Sequence, residues 1–372
     1  MHDCWCFFAD IDPFMNGYTE ENDMKKRCEG IISRIISPDK ADNNILFNMD
    51  IWDWSQGVAL YGMYKYYRLT GDHQVFSYLT DWFDAQMKRE QIRNVNTMCP
   101  PLTLCCLYEE TGRQAYLDFC LEWGEWVLSD MVRTDMGGIQ HVTIDAMNEQ
   151  QLWADTVFMT VLFLAKLSSL TGDARFAEEA KRQFLLHIHY LQDKKTGLWY
   201  HGWSFLRGDN FGNALWARGN CWFTIAASEL EELMPLDGCV KDLILDAYRA
   251  QAEALCSMQD ASGLWHTLID DETSYLETSG SAGFAYGLLR GVRLGYLPER
   301  MREPACRAAR AVIGQIGEDG MVQGVSYGTI VSCDLEDYRR VALRPTGYGQ
   351  NLTLLMLTEL MQWGFKGEDQ TD

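Results

Sequence analysis

The chain predicts an all-α protein, an α/α toroid of six hairpins in which six inner helices are ringed by six outer ones. Three observations predict it. Six apolar, aromatic-rich segments recur along the 372 residues, charged amphipathic segments alternate with them, and a tight glycine turn returns at near-constant intervals.

The six apolar segments begin at Trp54 (WSQGVALYGMYKYYRLTGD), Pro101 (PLTLCCLYEETG), Leu152 (LWADTVFMTVLFLAKLSSLTGD), Trp216 (WARGNCWFTIAASELEEL), Glu277 (ETSGSAGFAYGLLRGV) and Thr346 (TGYGQNLTLLMLTELM). Each is apolar or small nearly all the way round, which suits a helix with no wet face. Segments such as 173–193 and 300–316 instead carry one charged face and read as outer helices. The turns LTGD, at 69–72 and 170–173, and ETGR, at 110–113, end inner helices with glycine in the position that takes a left-handed backbone. Taking Gly138, Gly197, Gly263 and Gly320 as turn markers, the spacings are 59, 66 and 57 residues. Strand signals are confined to short runs such as GLWYHGW, enough for hairpin-like turns at most. A closed ring is expected over an open solenoid, because the inner helices have no polar face for an open end. No Pro-, Gly- or Ser-rich linker divides the chain, so one continuous toroid over 1–372 is expected.

Composition excludes several functions. A net charge of −21 with scattered Lys and Arg argues against nucleic acid and against an anionic membrane surface. Of the 12 cysteines, Cys105, Cys106 and Cys120 lie in apolar helical runs and read as small buried hydrophobes; Cys4 and Cys6 have poor zinc spacing, and no metal or cofactor is expected. The first residues lack a basic leader and no run approaches a membrane span, so the cytoplasm is the expected compartment. The oligomeric state is not legible.

In a ring, the loops at the inner-helix starts converge on one mouth. They supply Trp52, Trp54, Asn94, Asn96, His141, Asp155, His201, Trp203, Trp216, Arg218 and Trp222. Flat aromatic faces among amides and imidazoles suit a sugar, whose C–H faces stack while its hydroxyls hydrogen-bond. Singly, each has a plainer reading: Trp54 and Trp222 as core, His141 and His201 as satisfied buried imidazoles, Asn96 as a helix cap, Arg218 as a salt-bridge partner. Their common phase in the repeat gathers them. Asp155 poses the sharpest question, an acid among Leu152, Trp153, Val157, Phe158 and Met159 with no basic residue before Lys166. At a helix start the dipole lowers its pKa, whereas an aromatic wall raises it and makes a proton donor.

The motifs QLWADTVFM, YLQDKKTGLWYHGW, WARGNCWF and GLWHTLIDDETSYLETSGSAGFAYGLL, in this order, closely resemble glycoside hydrolase family 105, the unsaturated rhamnogalacturonyl hydrolases, and more distantly family 88, the unsaturated glucuronyl hydrolases. The resemblance runs from about Trp52 to Thr358 and implies the α/α six-hairpin toroid. It implies hydration of the C4=C5 double bond of a terminal unsaturated uronic acid, with Asp155 as catalytic acid, a small unsaturated oligosaccharide as substrate, and unsaturated galacturonyl-rhamnose as the expected disaccharide. It also implies substrate contacts from His141, His201, Trp216, Arg218 and Trp222, with Trp54 near a position often aromatic. Where related enzymes can carry a second Asp this chain has Asn96, which orients substrate or water but transfers no proton.

Rival readings stay open at this point: an unsaturated glucuronyl hydrolase, an inverting endoglycanase, an epimerase using His141 and His201, or a non-catalytic sugar-binding cup. The endoglycanase needs a second acid roughly 6.5–9.5 Å from the first, and Asp53 and Asp145 are its candidates.

Overall fold

The computed structural model describes residues 21–37, 47–236, 238–329 and 331–365. Cys4 and Cys6 lie outside them. The inner helices are α2 (Trp54–Thr70), α4 (Pro100–Thr111), α6 (a π turn over Val157–Val161 continuing as Leu162–Thr171), α8 (Ala217–Leu233), α10 (Thr278–Arg293) and α13 (Gly347–Phe365). The outer helices are α1 (Glu21–Ile36), α3 (His73–Gln86), α5 (Gln114–Ser129), α7 (Ala174–Leu191), α9 (Gly238–Ser257) and α11 (Arg302–Ile313), and a short α12 (Leu335–Arg339) rides in the last long loop. Each inner helix packs on the next, and α13 packs on both α10 and α2, so the ring is closed. The fold expected from the sequence is the one found.

Five hairpins are consecutive in the chain, inner helix then outer. The sixth joins distant segments, with α13 pairing with α1. Cys28 of α1 reaches the Met361 sulfur of α13 at 3.7 Å.

The two mouths differ because the two kinds of connection differ. An inner helix passes to its outer partner through a tight turn: Gly71, Gly112 and Gly172 adopt φ of 69°, 64° and 69°. Asp72 and Asp173 then cap α3 and α7 by accepting backbone N–H bonds from Gln74 and Val75 and from Arg175. The return paths are long, and all lie at the inner-helix N-termini. Three of their marker glycines, Gly197, Gly263 and Gly320, take a left-handed backbone. In the turn after α5 the marker is Gly137 (φ 79°) rather than Gly138. Strands are few among the described residues: β1 (Gln151–Trp153) pairs antiparallel with β2 (Gly202–Ser204), and β3 (Trp265–His266) with β4 (Leu276–Glu277).

Close inner-helix packing depends on a glycine face of α10. A Cβ at Gly283 would stand 2.7 Å from the Cys221 Cβ of α8, and one at Gly287 would stand 2.8 Å from the Thr224 carbonyl oxygen. At Gly287, therefore, backbone lies against backbone. The mouth at the inner-helix C-termini holds a cavity of about 540 Å³ above a charged network. Glu229, wholly buried, accepts from Tyr61 Oη at 2.9 Å and Lys65 Nζ at 3.0 Å and also binds Tyr286 and Arg290. Arg293 grips Glu359 through Nε at 2.5 Å and Nη2 at 2.8 Å. These bonds tie α2, α8, α10 and α13 together, and Lys166, from α6, pairs there with Glu109. Cys105, Cys106 and Cys120 are buried, as read from the sequence. Among the described residues no helix is long and apolar enough to cross a membrane.

Candidate active site

The backbone ladder of β1 and β2 fixes Asp155. Trp153 stands opposite Gly202, the Ala154 N–H donates to the His201 carbonyl at 3.0 Å, and the His201 N–H donates to Ala214 at 2.9 Å. The chain then enters α6 through the π turn, a helix defect that frequently marks functional positions. The Asp155 carbonyl accepts from Phe158 and Met159, but its carboxyl is no cap: Oδ2 is buried without a hydrogen-bond partner. Burial raises its pKa to about 6, against the opposing pull of Arg218, of its own backbone N–H and of Trp222. Burial outweighs the helix start. The cation absent from its own stretch of sequence is Arg218, supplied by the next inner helix.

Seven of the eight expected site residues form one circuit of contacts. His201 Nε2 lies 3.8 Å from Asp155 Oδ2. The His201 ring lies 4.2 Å from that of Trp216, and Arg218 is sandwiched at 4.6 Å from both Trp216 and Tyr348. Tyr348 stacks on Trp54 at 5.1 Å, Trp54 meets Trp222 edge-on at 6.0 Å, and Trp222 returns to Asp155. His141 joins through Trp153, on which it stacks at 4.3 Å, while Trp153 meets His201 edge-on at 5.4 Å. Among the described residues the Asn96 side chain makes no hydrogen bond to the circuit; it sits on the same mouth through Val95, whose N–H donates to Val142, beside His141. It does not cap α4, which starts from Cys99. The cap of the preceding turn is Asn94, whose Oδ1 accepts from the Asn96 and Thr97 N–H groups.

Both histidines are neutral. Burial and nearby His187 bring His141 down to about 3, and its Nδ1 pairs with Thr156 Oγ1 at 3.0 Å. Burial, His141 and Arg218 press His201 well below the ordinary imidazole range. Arg218 is almost wholly buried and committed: Nη1 donates to Ser326 Oγ at 2.6 Å and to Ser279 Oγ at 3.1 Å, and Nη2 to Thr329 Oγ1 at 3.2 Å. Its counter-charge is Glu277, 3.7 Å away and fully buried, which also accepts from the Ser279 and Gly280 N–H groups at the start of α10 and from the Ser326 N–H of the loop before α13. A buried guanidinium is tolerable only with such a partner.

Two aromatic residues named with this mouth belong elsewhere or at its edge. Trp52 is core, packed among Trp82, Phe83, Phe119 and Trp123 with its indole N–H donating to Thr97. Trp203 packs on Tyr190 and Phe205 at the outer edge. Trp222 is both core and site: it is fully buried and packs on Phe158. The sequence reading missed Glu277, Trp153, Tyr338 and Tyr348. Glu277 and Tyr348 stand at inner-helix starts, the phase already used to choose Trp54 and Arg218, so that signal was present.

Asp53, at the start of α2, has its pKa raised to about 6, chiefly by burial and in lesser part by Asp145, against the pull of the Trp54 N–H. It is a second perturbed acid on this mouth.

A closed double ring whose loop-bearing mouth holds an acid with one buried, unpaired carboxyl oxygen among indoles and neutral imidazoles defines a toroid glycosidase. The chain belongs to Glycosyl Hydrolase Family 88, whose model matches residues 26–363. It is 33% identical over 344 residues to the unsaturated rhamnogalacturonyl hydrolase YesR of Bacillus subtilis, covering 91% of this chain and 96% of that protein. A crystal structure from Salmonella enterica serovar Paratyphi A, described as a possible member of family 105, superimposes with a TM-score of 0.89 at 41% identity, over 93% of this chain and 95% of that one. The unsaturated glucuronyl hydrolase of Bacillus sp. GL1 shares the fold, with a TM-score of 0.70 at 19% identity over 91% and 96% of the two chains.

Proposed function

We propose that the protein hydrates the C4=C5 double bond of a terminal unsaturated uronic acid on a small oligosaccharide, most specifically unsaturated galacturonyl-rhamnose, and so releases the aglycone sugar. The supporting observation is Asp155, an acid with a pKa near 6 and a buried carboxyl oxygen free of hydrogen bonds. The double bond is an enol ether. Asp155 gives its proton to C4, and the cation at C5 is stabilised by the ring oxygen. Water adds at C5, giving up a proton to the Asp155 carboxylate. The resulting hemiketal opens, C5 becomes a ketone, and the hemiacetal left at C1 expels the aglycone. One carboxyl group serves both transfers.

In this reading Trp54, Trp216 and Trp222 shape the slot for the flat ring. His141 and His201 bind oxygens as neutral imidazoles, and Arg218 supplies the positive field for the uronate. Asn96 orients substrate or water. Two neutral histidines leave an epimerase without an imidazolium acid, which weighs against that alternative. The cytoplasm is the compartment proposed for a substrate this small. No cofactor takes part.

The test is a panel of saturated and unsaturated galacturonyl and glucuronyl disaccharides. Loss of the ultraviolet absorbance of the C4=C5 chromophore, fastest with galacturonyl-rhamnose, is the expected result. Turnover of a saturated oligosaccharide instead, abolished equally by Asp53→Asn and Asp155→Asn, establishes the two-acid endoglycanase and overturns the proposal. Binding without turnover establishes the sugar-binding cup.

A further inference from the structure

His201 is held from behind by a residue 137 positions further along the chain: its Nδ1 lies 2.8 Å from Tyr338 Oη. Tyr338 belongs to α12, in the loop between α11 and α13. That segment is strapped across the site mouth. Arg339 Nε donates to Asp271 Oδ2 at 2.7 Å, and the Gly212 N–H donates to the Ser332 carbonyl at 3.2 Å. Backbone meets backbone so closely at Gly212 that a Cβ there would fall 2.7 Å from the Cys333 carbonyl oxygen. The Tyr338 ring is buried in a small cluster with Ala214, Trp216 and Leu268, apart from the main core.

The hydrogen bonds around the phenol determine which way its proton points. Tyr338 Oη already accepts the Ser332 N–H at 3.3 Å. If His201 also donated to it from Nδ1, the buried phenol hydrogen would have no acceptor among the described residues, a cost of about 1–3 kcal/mol. The arrangement that satisfies every group has Tyr338 donating to Nδ1. A neutral imidazole that accepts at Nδ1 carries its hydrogen on Nε2. That nitrogen is the one facing Asp155, and neither His201 Nε2 nor Asp155 Oδ2 has any hydrogen-bond partner.

We infer that Tyr338 is a positioning residue, which locks His201 in the Nε2–H tautomer so that a fixed N–H donor stands beside the Asp155 carboxyl. This rests on the hydration reading for its consequence but not for its geometry. During turnover the donor stabilises Asp155 as the carboxylate left after protonation of C4, or binds the substrate oxygen placed between the two groups. With the other tautomer, a lone pair would face that same carboxylate.

The first measurement reads the wild-type protein and needs no substrate. In protein labelled with nitrogen-15 at histidine, long-range nitrogen–proton correlation reports the tautomer of each ring, with His201→Gln assigning its signals. The expected result is an Nε2–H ring; an Nδ1–H ring overturns the inference, whatever the enzyme hydrolyses. Tyr338→Phe keeps the packing and removes the hydroxyl, so the tautomers mix and kcat on the unsaturated disaccharide falls about 10- to 100-fold with KM little changed. A Tyr338→Phe enzyme whose His201 remains wholly Nε2–H, or whose kcat is unchanged, also overturns it. If the wild-type ring is Nε2–H but the disaccharide panel shows no turnover, the positioning stands and the hydration proposal falls.

Discussion

Asp155 Oδ2 and His201 Nε2 face each other across 3.8 Å, each buried and each without a hydrogen bond. The gap is too long for a hydrogen bond and too short to admit a water on the line between them. Buried polar atoms are nearly always satisfied, so under the proposed function two orphans turned toward one point are where a ligand oxygen would sit. One sugar oxygen seated beside the pair satisfies both. The same arrangement keeps the acid desolvated, and desolvation is what raises its pKa.

Replacing Asp155 by Asn removes the proposed proton donor without changing its shape. The expected loss in kcat is about 1000-fold, within the range for a positioned acid, with circular dichroism unchanged. In the wild-type enzyme the protonated form must react, so kcat/KM should fall as pH rises through about 6. Initial rates across pH, followed by loss of the enol-ether absorbance, check both.

The same carboxyl burdens the fold at high pH. Its folded pKa, about 6, stands above the ordinary 3.8, so the stability it contributes is present at low pH and lost as pH rises through 6. Two pKa steps correspond to about 3 kcal/mol. Asp155→Asn should therefore be more stable than wild type at pH 8, with the difference shrinking at acid pH. Urea unfolding at the two pH values reads this directly.

Glu229, at the far mouth, behaves oppositely. Burial alone would raise its pKa, but Arg290 and Lys65 outweigh burial and bring it to about 2, below the ordinary 4.5. Its contribution is full above about 4.5 and is lost as pH falls toward 2, a matter of about 3 kcal/mol. Glu229→Gln leaves Arg290 and Lys65 undercompensated and should cost about 3–5 kcal/mol at pH 7. The variant's denaturation midpoint should also depend less on acid than that of the wild type.

A methyl group on the glycine face of α10 should separate two inner helices. At Gly287 it would meet Thr224 backbone, which cannot swing aside as a side chain could. Gly287→Ala is expected to cost about 1–3 kcal/mol, despite alanine's better helix propensity. Thermal unfolding measures the loss; a gain in melting temperature would disprove the close approach.

The ring was legible because its inner helices have no wet face and its turns repeat. Asp155, His201, Trp216 and Arg218 were legible as a group because they share one phase of that repeat. Tyr338 was not, since it lies in the irregular stretch between the Gly320 turn and α13, which the repeat does not describe. Glu277 was hidden by its setting: in sequence it looks like an ordinary helix-start acid, and only the arrival of Arg218 from α8 shows what it balances. The shift from Gly138 to Gly137 has a similar origin. Two adjacent glycines are equivalent as letters, and only the backbone angle separates them. Trp52 was misplaced because an indole at a helix start can point along the ring wall as readily as into the mouth.

The pairing of α1 with α13 bears on how the molecule is made. Cys28 and Met361 are separated by 333 positions, so the first of these helices leaves the ribosome long before its partner exists. Until then its apolar side lacks its main partner, and the ring cannot close. Assembly is then gated by a meeting of remote segments, which slows folding and lengthens exposure to chaperones and proteases. Once it closes no hairpin is terminal, and each is braced on both flanks.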